Sequence, residues 1–197
     1  MSNTSKNATW GLILRKQEMT RMWVDGVYTP VTLCTVPSQA VSRWKTEDKD
    51  WYTAAVVTVT KPAGAEGKPK LVLEKEFLFA AKDDSWSPST DQLTTESRVT
   101  IVWVSKGKWF QWVMKRHNFG WWPATHWSKF HRAAWSTWNR KPRRTIRGQK
   151  MAGRMGTDQV TLKKVPVVDV LTIDGQQVVA LKGSLPGAYN SLLTIYC

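Results

Sequence analysis

The sequence predicts a mainly β fold, a small closed or split β-barrel with a long irregular basic extension. Short apolar runs rich in β-branched residues stand near both ends of the 197-residue chain. Asp-Gly dipeptides at 25–26 and 174–175 separate two pairs of these runs, as two-residue hairpin turns do. Between the two groups, residues 99–157 contain no Asp or Glu. A barrel suits this order because closure removes the exposed edges that many short strands leave.

The strands predicted in the first half of the chain begin with a hairpin, formed by Met19–Val24 and Val27–Val36. Tyr52–Thr60 is rich in β-branched residues and is predicted as the next strand. The charged residues 42–50 are expected to form an exposed loop before it. Leu71–Phe79 follows a segment broken by Pro and Gly and is predicted as a short apolar element.

The second half returns to strands after the basic segment. A polar stretch allows a helix after Ser89, and Arg98–Val104 is predicted as a strand. Val160–Ile173 and Gln176–Lys182 form the second predicted hairpin, and Asn190–Tyr196 is the last strand. The predicted body of the protein therefore comprises residues 1–104 and 157–197, and the basic extension comprises residues 105–156.

Charge is distributed very unevenly between these parts. Residues 99–157 hold 13 of the 29 Lys and Arg, whereas the other 16 are offset by all 15 acids of the chain. A segment with no opposing charge repels itself, so we expect it to become ordered against a polyanion. With a sequence pI near 10.0, the candidate partners are nucleic acid and an anionic membrane surface.

The residues predicted to contact RNA are the cations and histidines of the basic extension. Lys and Arg would meet phosphates, and the histidines would donate to phosphates or base edges. The predicted contact residues are Lys106, Lys108, Lys115, Arg116, His117, His126, Lys129, His131, Arg132, Arg140, Lys141, Arg143, Arg144, Arg147, Lys150 and Arg154.

Other functional classes find little support in the sequence. A catalytic histidine needs a nearby carboxylate and a nucleophile, and the extension has no carboxylate. His126 and His131 lack the further ligands of a zinc site. No apolar run approaches the length of a spanning helix, and the polar start lacks a signal core. We therefore expect no enzyme activity, cofactor, metal, membrane or small-molecule substrate.

The two cysteines leave two readings open. Cys34 lies in an apolar run and Cys197 is the last residue. Free thiols in a reducing compartment are favoured over a disulfide between them.

Several motifs carry a resemblance to a known family. The central ones are Ser105-Lys106-Gly107-Lys108, Lys115-Arg116-His117-Asn118-Phe119, Pro123-Ala124-Thr125-His126 and Gly148-Gln149-Lys150-Met151-Ala152-Gly153-Arg154-Met155-Gly156. Further matches are Met19-Thr20-Arg21 and Lys182-Gly183-Ser184-Leu185-Pro186-Gly187. Through these motifs the chain resembles the universal large-subunit ribosomal protein L-three family, in its bacterial form. The motifs occur in the family's order along almost the whole chain.

The resemblance implies a fold and a function. It implies a split β-barrel of the translation-protein type with an inserted α+β portion at about 61–97, seated on the 23S-type rRNA of the large ribosomal subunit. It also implies that the basic extension reaches toward the peptidyl-transferase centre, with residues 135–147 nearest. Early subunit assembly, neighbouring large-subunit proteins and a cytoplasmic ribosomal location follow from the same resemblance.

The tryptophans depart from the family pattern. The chain has 13 Trp, and nine stand where the family carries Gly: Trp51, Trp103, Trp109, Trp112, Trp121, Trp122, Trp127, Trp135 and Trp138. Glycine in an RNA-contacting loop permits positive φ and close backbone approach. We hypothesise that these positions are glycines in the native protein. An organism that reads UGA as glycine, with its gene translated by a code table that reads UGA as tryptophan, would give this pattern.

A second functional class takes the tryptophans at face value. It is a free-standing Trp- and Arg-rich module that binds single-stranded nucleic acid or membranes. Interfacial peptides place such residues on an amphipathic helix, and the extension shows no helical period. The ribosomal reading is therefore preferred.

Overall fold

The computed structural model describes residues 10–61, 70–95, 97–129, 131–134, 136–137 and 140–196. The chain divides into two compact units, a first unit of Met1–Trp103 with Val160–Cys197 and a second unit of Val104–Gln159. The mainly β class is confirmed. The strands are β1 (Gly11–Val24), β2 (Val27–Thr35), β3 (Gln39–Lys45), β4 (Ala54–Lys61), β5 (Lys70–Leu78), β6 (Arg98–Val104), β7 (Phe110–Gln111), β8 (Gly153–Arg154), β9 (Gln159–Ile173), β10 (Gln176–Lys182) and β11 (Leu192–Tyr196), and the helices are α1 (Glu47–Asp50) and α2 (Val113–His117).

Six strands close into a barrel in the order β1-β11-β6-β9-β10-β2. Both Asp-Gly turns form the predicted hairpins, with Val24 opposite Val27 and Ile173 opposite Gln176. The residue pattern left closed and split barrels open, and the resemblance implied a split one. The described strands form a closed barrel, so the split barrel is not confirmed. The first and last strands meet here, because β1 pairs antiparallel with β11.

The barrel core follows from strand alternation. Leu12 and Leu14 of β1 belong to the main core cluster, together with residues of the other five barrel strands. The intervening Ile13 points to the opposite face and joins a second cluster, with Leu192 of the barrel and Phe77 of β5. Residues 11–14 are therefore buried on both faces, and a run without apolar–polar alternation results.

A three-stranded sheet, β3-β4-β5, covers the outer face of β1. The Gln39 side chain joins the two, because its Oε1 accepts a hydrogen bond from Ile13 N (3.1 Å) and its Nε2 donates to Ile13 O (3.2 Å). This amide satisfies backbone groups of β1 that would otherwise be unpaired in a partly buried place.

Several local predictions need correction. Residues 42–50 are not a loop, since they form the end of β3 and the one-turn helix α1. β1 begins at Gly11, well before the predicted Met19. The described residues of 90–97 form turns and no helix, and the described residues of the predicted insertion at 61–97 contain β5 and turns but likewise no helix.

No helix among the described residues is both long and apolar enough to cross a membrane.

Candidate nucleic-acid interface

The second unit begins and ends with two chain segments that pair with each other. Ser105 N donates to Asp158 O (2.8 Å), and Lys108 N donates to Met155 O (2.9 Å). The short strands β7 and β8 continue this pairing. Gly156 has φ of +79°, and a Cβ there would overlap the carbonyl oxygen of Lys106. Glycine is therefore required for this close backbone approach.

The helix α2 lies next to these two paired chain segments. It buries Val113 and Met114. Arg116 Nη1 donates to Met151 O (2.8 Å), and His117 Nε2 lies 3.1 Å from the same oxygen. A carbonyl oxygen only accepts, so Nε2 of His117 carries the hydrogen. These two side chains hold the returning segment in place.

Gly153 of β8 makes room for this arrangement. A Cβ at this position would lie 2.6 Å from Nη1 of Arg116. Arg116 and His117 are half-buried and position the backbone, and Arg116 also contributes positive charge.

The remaining predicted contact residues are exposed. Fourteen of the sixteen fall in this class: Lys106, Lys108, Lys115, His126, Lys129, His131, Arg132, Arg140, Lys141, Arg143, Arg144, Arg147, Lys150 and Arg154. Within the described parts of the chain, none of the sixteen forms an ion pair with an acid. The structure therefore leaves these side chains open to solvent and without an acidic partner among the described residues.

The densest stretch of charge runs from Arg140 to Met151. All twelve of its residues are exposed, and six of them are Lys or Arg. An exposed cationic segment with mostly irregular backbone can follow a phosphate backbone closely, as Arg-rich RNA-binding segments do.

A second cationic group lies between Trp121 and Arg132. The guanidinium carbon of Arg132 is 5.9 Å from the centre of the Trp121 ring, in cation–π contact. His126, Lys129 and His131 are exposed nearby in the sequence. This stretch can offer both charge and aromatic surface to a nucleic acid.

The prediction of an entirely irregular extension was too simple. The second unit contains β7, β8 and α2, which are two, two and five residues long. Such short elements leave no sustained period in the sequence. Sequence reasoning also missed Met151, because its role is played by a backbone carbonyl that any residue would supply.

Three of the nine tryptophans that the resemblance sets against glycine have left-handed backbone conformations. Trp51, Trp109 and Trp127 have φ of 67°, 54° and 61° and are 91%, 82% and 97% exposed. Trp103 differs, because it is partly buried and packs against both core clusters. Trp135 and Trp138 lie outside the described residues.

Neither a metal site nor a reactive thiol is found in the described chain. No group of three or more His, Cys, Asp or Glu is placed to hold a metal ion among the described residues. Cys34 is a free, buried thiol, and desolvation by burial raises its pKa to about 12. Cys197, the other half of the disulfide alternative, lies outside the described residues.

Comparison with known proteins identifies the family. No protein-family model matches the chain. The large ribosomal subunit protein uL3 of Borreliella afzelii is 33% identical over 201 aligned residues, covering 94% of this chain and 97% of that protein. The uL3 proteins of Borreliella burgdorferi and Borrelia garinii align over the same shares at 33% and 32% identity. The chain therefore belongs to the uL3 family of large-ribosomal-subunit proteins.

Proposed function

We propose that the chain is a structural constituent of the large ribosomal subunit that binds 23S-type rRNA through its basic extension. One observation carries this proposal. The extension exposes 14 of the 16 predicted contact residues, while residues 99–157 contain no acid that could neutralise them.

The physical argument rests on counterions. RNA carries condensed cations along its phosphates, and each Lys or Arg that neutralises a phosphate releases some of them. The entropy of this release favours binding, and this contribution does not depend on the RNA sequence. The 13 cations between 99 and 157 are suited to such binding, because none of them forms an ion pair with a carboxylate in the described part of the chain.

Two further roles are proposed for the same segment. Family membership supports an early role in subunit assembly and support of the peptidyl-transferase region, with residues 135–147 nearest to that region. The proposed partners are the large-subunit rRNA and neighbouring large-subunit proteins. The protein would contribute position and charge to the ribosome, without chemistry of its own.

The test uses the full chain and a variant with four exposed cations removed, R140Q/R143Q/R144Q/R147Q. We expect the parent protein to co-sediment with deproteinised large-subunit rRNA at moderate salt, and the variant to require lower salt. The matched control is K49Q/R98Q/K163Q/K182Q, which removes the same charge from exposed positions of the first unit.

The outcomes separate the proposal from its alternative. Equal rRNA binding by the two quadruple variants would contradict a role for the extension. Binding to anionic liposomes, with no association with rRNA or large subunits, would favour the free-standing Trp- and Arg-rich module instead.

A further inference from the structure

The outer face of the β1–β2 hairpin presents exposed aromatic side chains. Strand alternation places Arg21 and Trp23 on the same face of β1. The strand register sets Tyr28 opposite Trp23 and Pro30 opposite Arg21. All four residues are exposed, so this face of the hairpin makes no contribution to the barrel core.

The three side chains are arranged by contacts with one another. The Trp23 and Tyr28 rings meet edge to face, with centroids 4.6 Å apart and planes at 75°. The guanidinium carbon of Arg21 is 5.4 Å from the centre of the Tyr28 ring. A group held in this way loses little conformational entropy when a ligand binds.

The exposure of these rings calls for a partner. Trp23 and Tyr28 are each 63% exposed, although burial of an aromatic side chain is among the most favourable contributions to folding. Met19 lies on the same face and is also exposed. Contiguous apolar surface of this kind marks interaction sites on soluble proteins.

The chemistry of the face favours an RNA base over a protein. Its one charged group is a cation. Of the carboxylates nearby in sequence, Asp25 lies in the turn, and Glu18 lies in the irregular part of β1 where the pairing register shifts, before Met19. Aromatic rings and guanidinium planes are the surfaces on which proteins stack unpaired RNA bases. Arg21 can in addition meet the phosphate of the stacked nucleotide.

We propose that Arg21, Trp23 and Tyr28 form a stacking platform for one unpaired base of the large-subunit rRNA. The platform is part of the first unit, and its proposed ligand rests on the rRNA binding proposed above. It adds a stacking contact to a protein whose other predicted contacts are electrostatic.

Stacking and charge neutralisation depend differently on salt. Loss of a phosphate contact lowers the slope of log affinity against log salt, whereas loss of a stacked base lowers affinity at every salt concentration. Stacking of one base contributes about 1–3 kcal/mol, which corresponds to roughly 5- to 150-fold in affinity.

The experiment measures the affinity of the full chain for deproteinised large-subunit rRNA over a range of salt concentrations. We expect W23A and Y28A each to weaken binding at least fivefold with an unchanged salt slope. Y28F keeps the ring and should bind like the parent. R21K keeps the charge and loses the planar guanidinium, so it should weaken binding with the slope retained. T20A, on the other face of the hairpin, is the matched control.

A cross-linking measurement provides a second readout. Ultraviolet irradiation of the complex should join RNA to the tryptic peptide Met22–Arg43, which contains Trp23 and Tyr28. Thermal unfolding should show that each variant keeps the fold. Only a small decrease is expected for W23A and Y28A, because the altered side chains are largely exposed and lose only their contacts with one another.

The platform and the extension can fail separately. Equal rRNA affinity of Y28A and Y28F, with no cross-link to Met22–Arg43, would overturn the platform even if R140Q/R143Q/R144Q/R147Q changes the salt slope. If W23A and Y28A keep the rRNA affinity of the parent but bind large-subunit proteins less well, the surface faces a protein, and the proposed stacking platform is equally overturned. An unchanged slope in the quadruple variant, with an effect of Y28A, would contradict the extension alone.

Discussion

The backbone at Trp51, Trp109 and Trp127 is left-handed, where the Cβ of any residue other than glycine crowds the following carbonyl group. This conformation costs roughly 1–2 kcal/mol per residue. The three indoles are almost fully exposed, so packing returns little of that cost. Backbone geometry and the family pattern thus favour glycine at the same three positions, which supports the hypothesis of recoded codons.

Replacement of these tryptophans by glycine should stabilise the protein. We expect W51G, W109G and W127G each to raise the free energy of unfolding by about 1 kcal/mol, because glycine adopts positive φ without a Cβ clash. Trp112 is the matched control, since it is an exposed family-glycine position with φ of −70°. W112G should give no gain, and a gain equal to that of W109G in chemical denaturation would contradict the explanation.

The mass of the native protein tests the recoding hypothesis itself. The printed sequence corresponds to 22.5 kDa with 13 Trp. Glycine at the recoded positions would give a lower intact mass by the difference between tryptophan and glycine at each site. A measured mass that requires all 13 Trp would end the hypothesis. Trp103 is the site to examine individually by peptide mapping, because its indole packs against the core.

A buried hydroxyl in β11 offers another residue-scale test. Thr194 is 1% exposed, and its Oγ1 has no hydrogen-bond partner in the described structure. An unpaired buried hydroxyl costs about 1–3 kcal/mol. T194V should therefore stabilise the protein by about 1 kcal/mol, and T194S, which keeps the hydroxyl, should not. A loss of stability in T194V would show that the hydroxyl is paired in solution.

Among the larger elements, the sheet β3-β4-β5 carries a polar network that joins β3 to β5 through Tyr52, which lies just before β4. Lys45 Nζ donates to Tyr52 Oη (2.7 Å) and forms an ion pair with Glu76 (2.8 Å), while Tyr52 Oη donates to Glu76 (2.8 Å). Hydrogen bonds from Lys45 and Tyr52 hold the pKa of Glu76 below its ordinary value of 4.5. Hydrogen bonds to Glu76 and Tyr52 raise the pKa of Lys45 above 10.5.

The direction of these shifts fixes a pH dependence. The contribution of Glu76 is present above pH 4.5 and is lost as the pH falls through its lower pKa in the folded state. That of Lys45 is present below pH 10.5 and is lost as the pH rises through its raised pKa. E76Q should thus reduce the unfolding midpoint at neutral pH and match the parent in strong acid. E18Q, at a carboxylate without an ion pair among the described residues, is the control.

The pairing of the two chain segments at the start and end of the second unit depends on two glycines. G156A places a methyl group against the Lys106 carbonyl at a positive φ, and G153A places one against the Arg116 guanidinium. Both substitutions should speed amide hydrogen exchange at Lys108 and Met155, whose N–H groups form hydrogen bonds between the two paired segments. G120A, with open space around the added Cβ, should exchange like the parent. Unchanged exchange in G156A would contradict the described pairing.

The elements differ in how well the sequence predicted them, for identifiable reasons. Both hairpins were predicted because Asp-Gly dipeptides tolerate the positive φ that two-residue turns require. Asp25 and Asp174 do adopt positive φ. The first half of β1 was missed because residues 11–14 are buried on two faces and do not alternate. β3 was missed because its charged residues, such as Arg43, point to solvent on a strand whose other face supports the sheet.

For the molecule as a whole, the exposed cationic segment was easier to predict than the fold, and its binding of RNA stays a prediction. A run without carboxylates is visible in composition alone, and the exposure of Arg140–Met151 agrees with it. The contacts that order the second unit were not predictable, because Met151 O and Lys106 O are backbone groups. The Arg21–Trp23–Tyr28 platform also escaped notice, since its assembly depends on the register of two strands.

Protease sensitivity should report on the partner of the basic extension. Its many exposed Lys and Arg residues are trypsin sites, and only short elements protect them. We expect trypsin to cut the free protein first within 105–156, and bound rRNA to protect those sites. Resistance of the free extension to trypsin would contradict the view that RNA completes its ordering.

The central claim is that the exposed cations of residues 105–156 neutralise rRNA phosphates, and the salt dependence of rRNA binding tests it most directly. Each lost phosphate contact should reduce the slope of log affinity against log salt by roughly 0.7–0.9. R140Q/R143Q/R144Q/R147Q should therefore have a slope smaller in magnitude by roughly 3–4, whereas K49Q/R98Q/K163Q/K182Q should have nearly the parent slope. A parent slope in the first variant, or the same reduction in both, would contradict the claim.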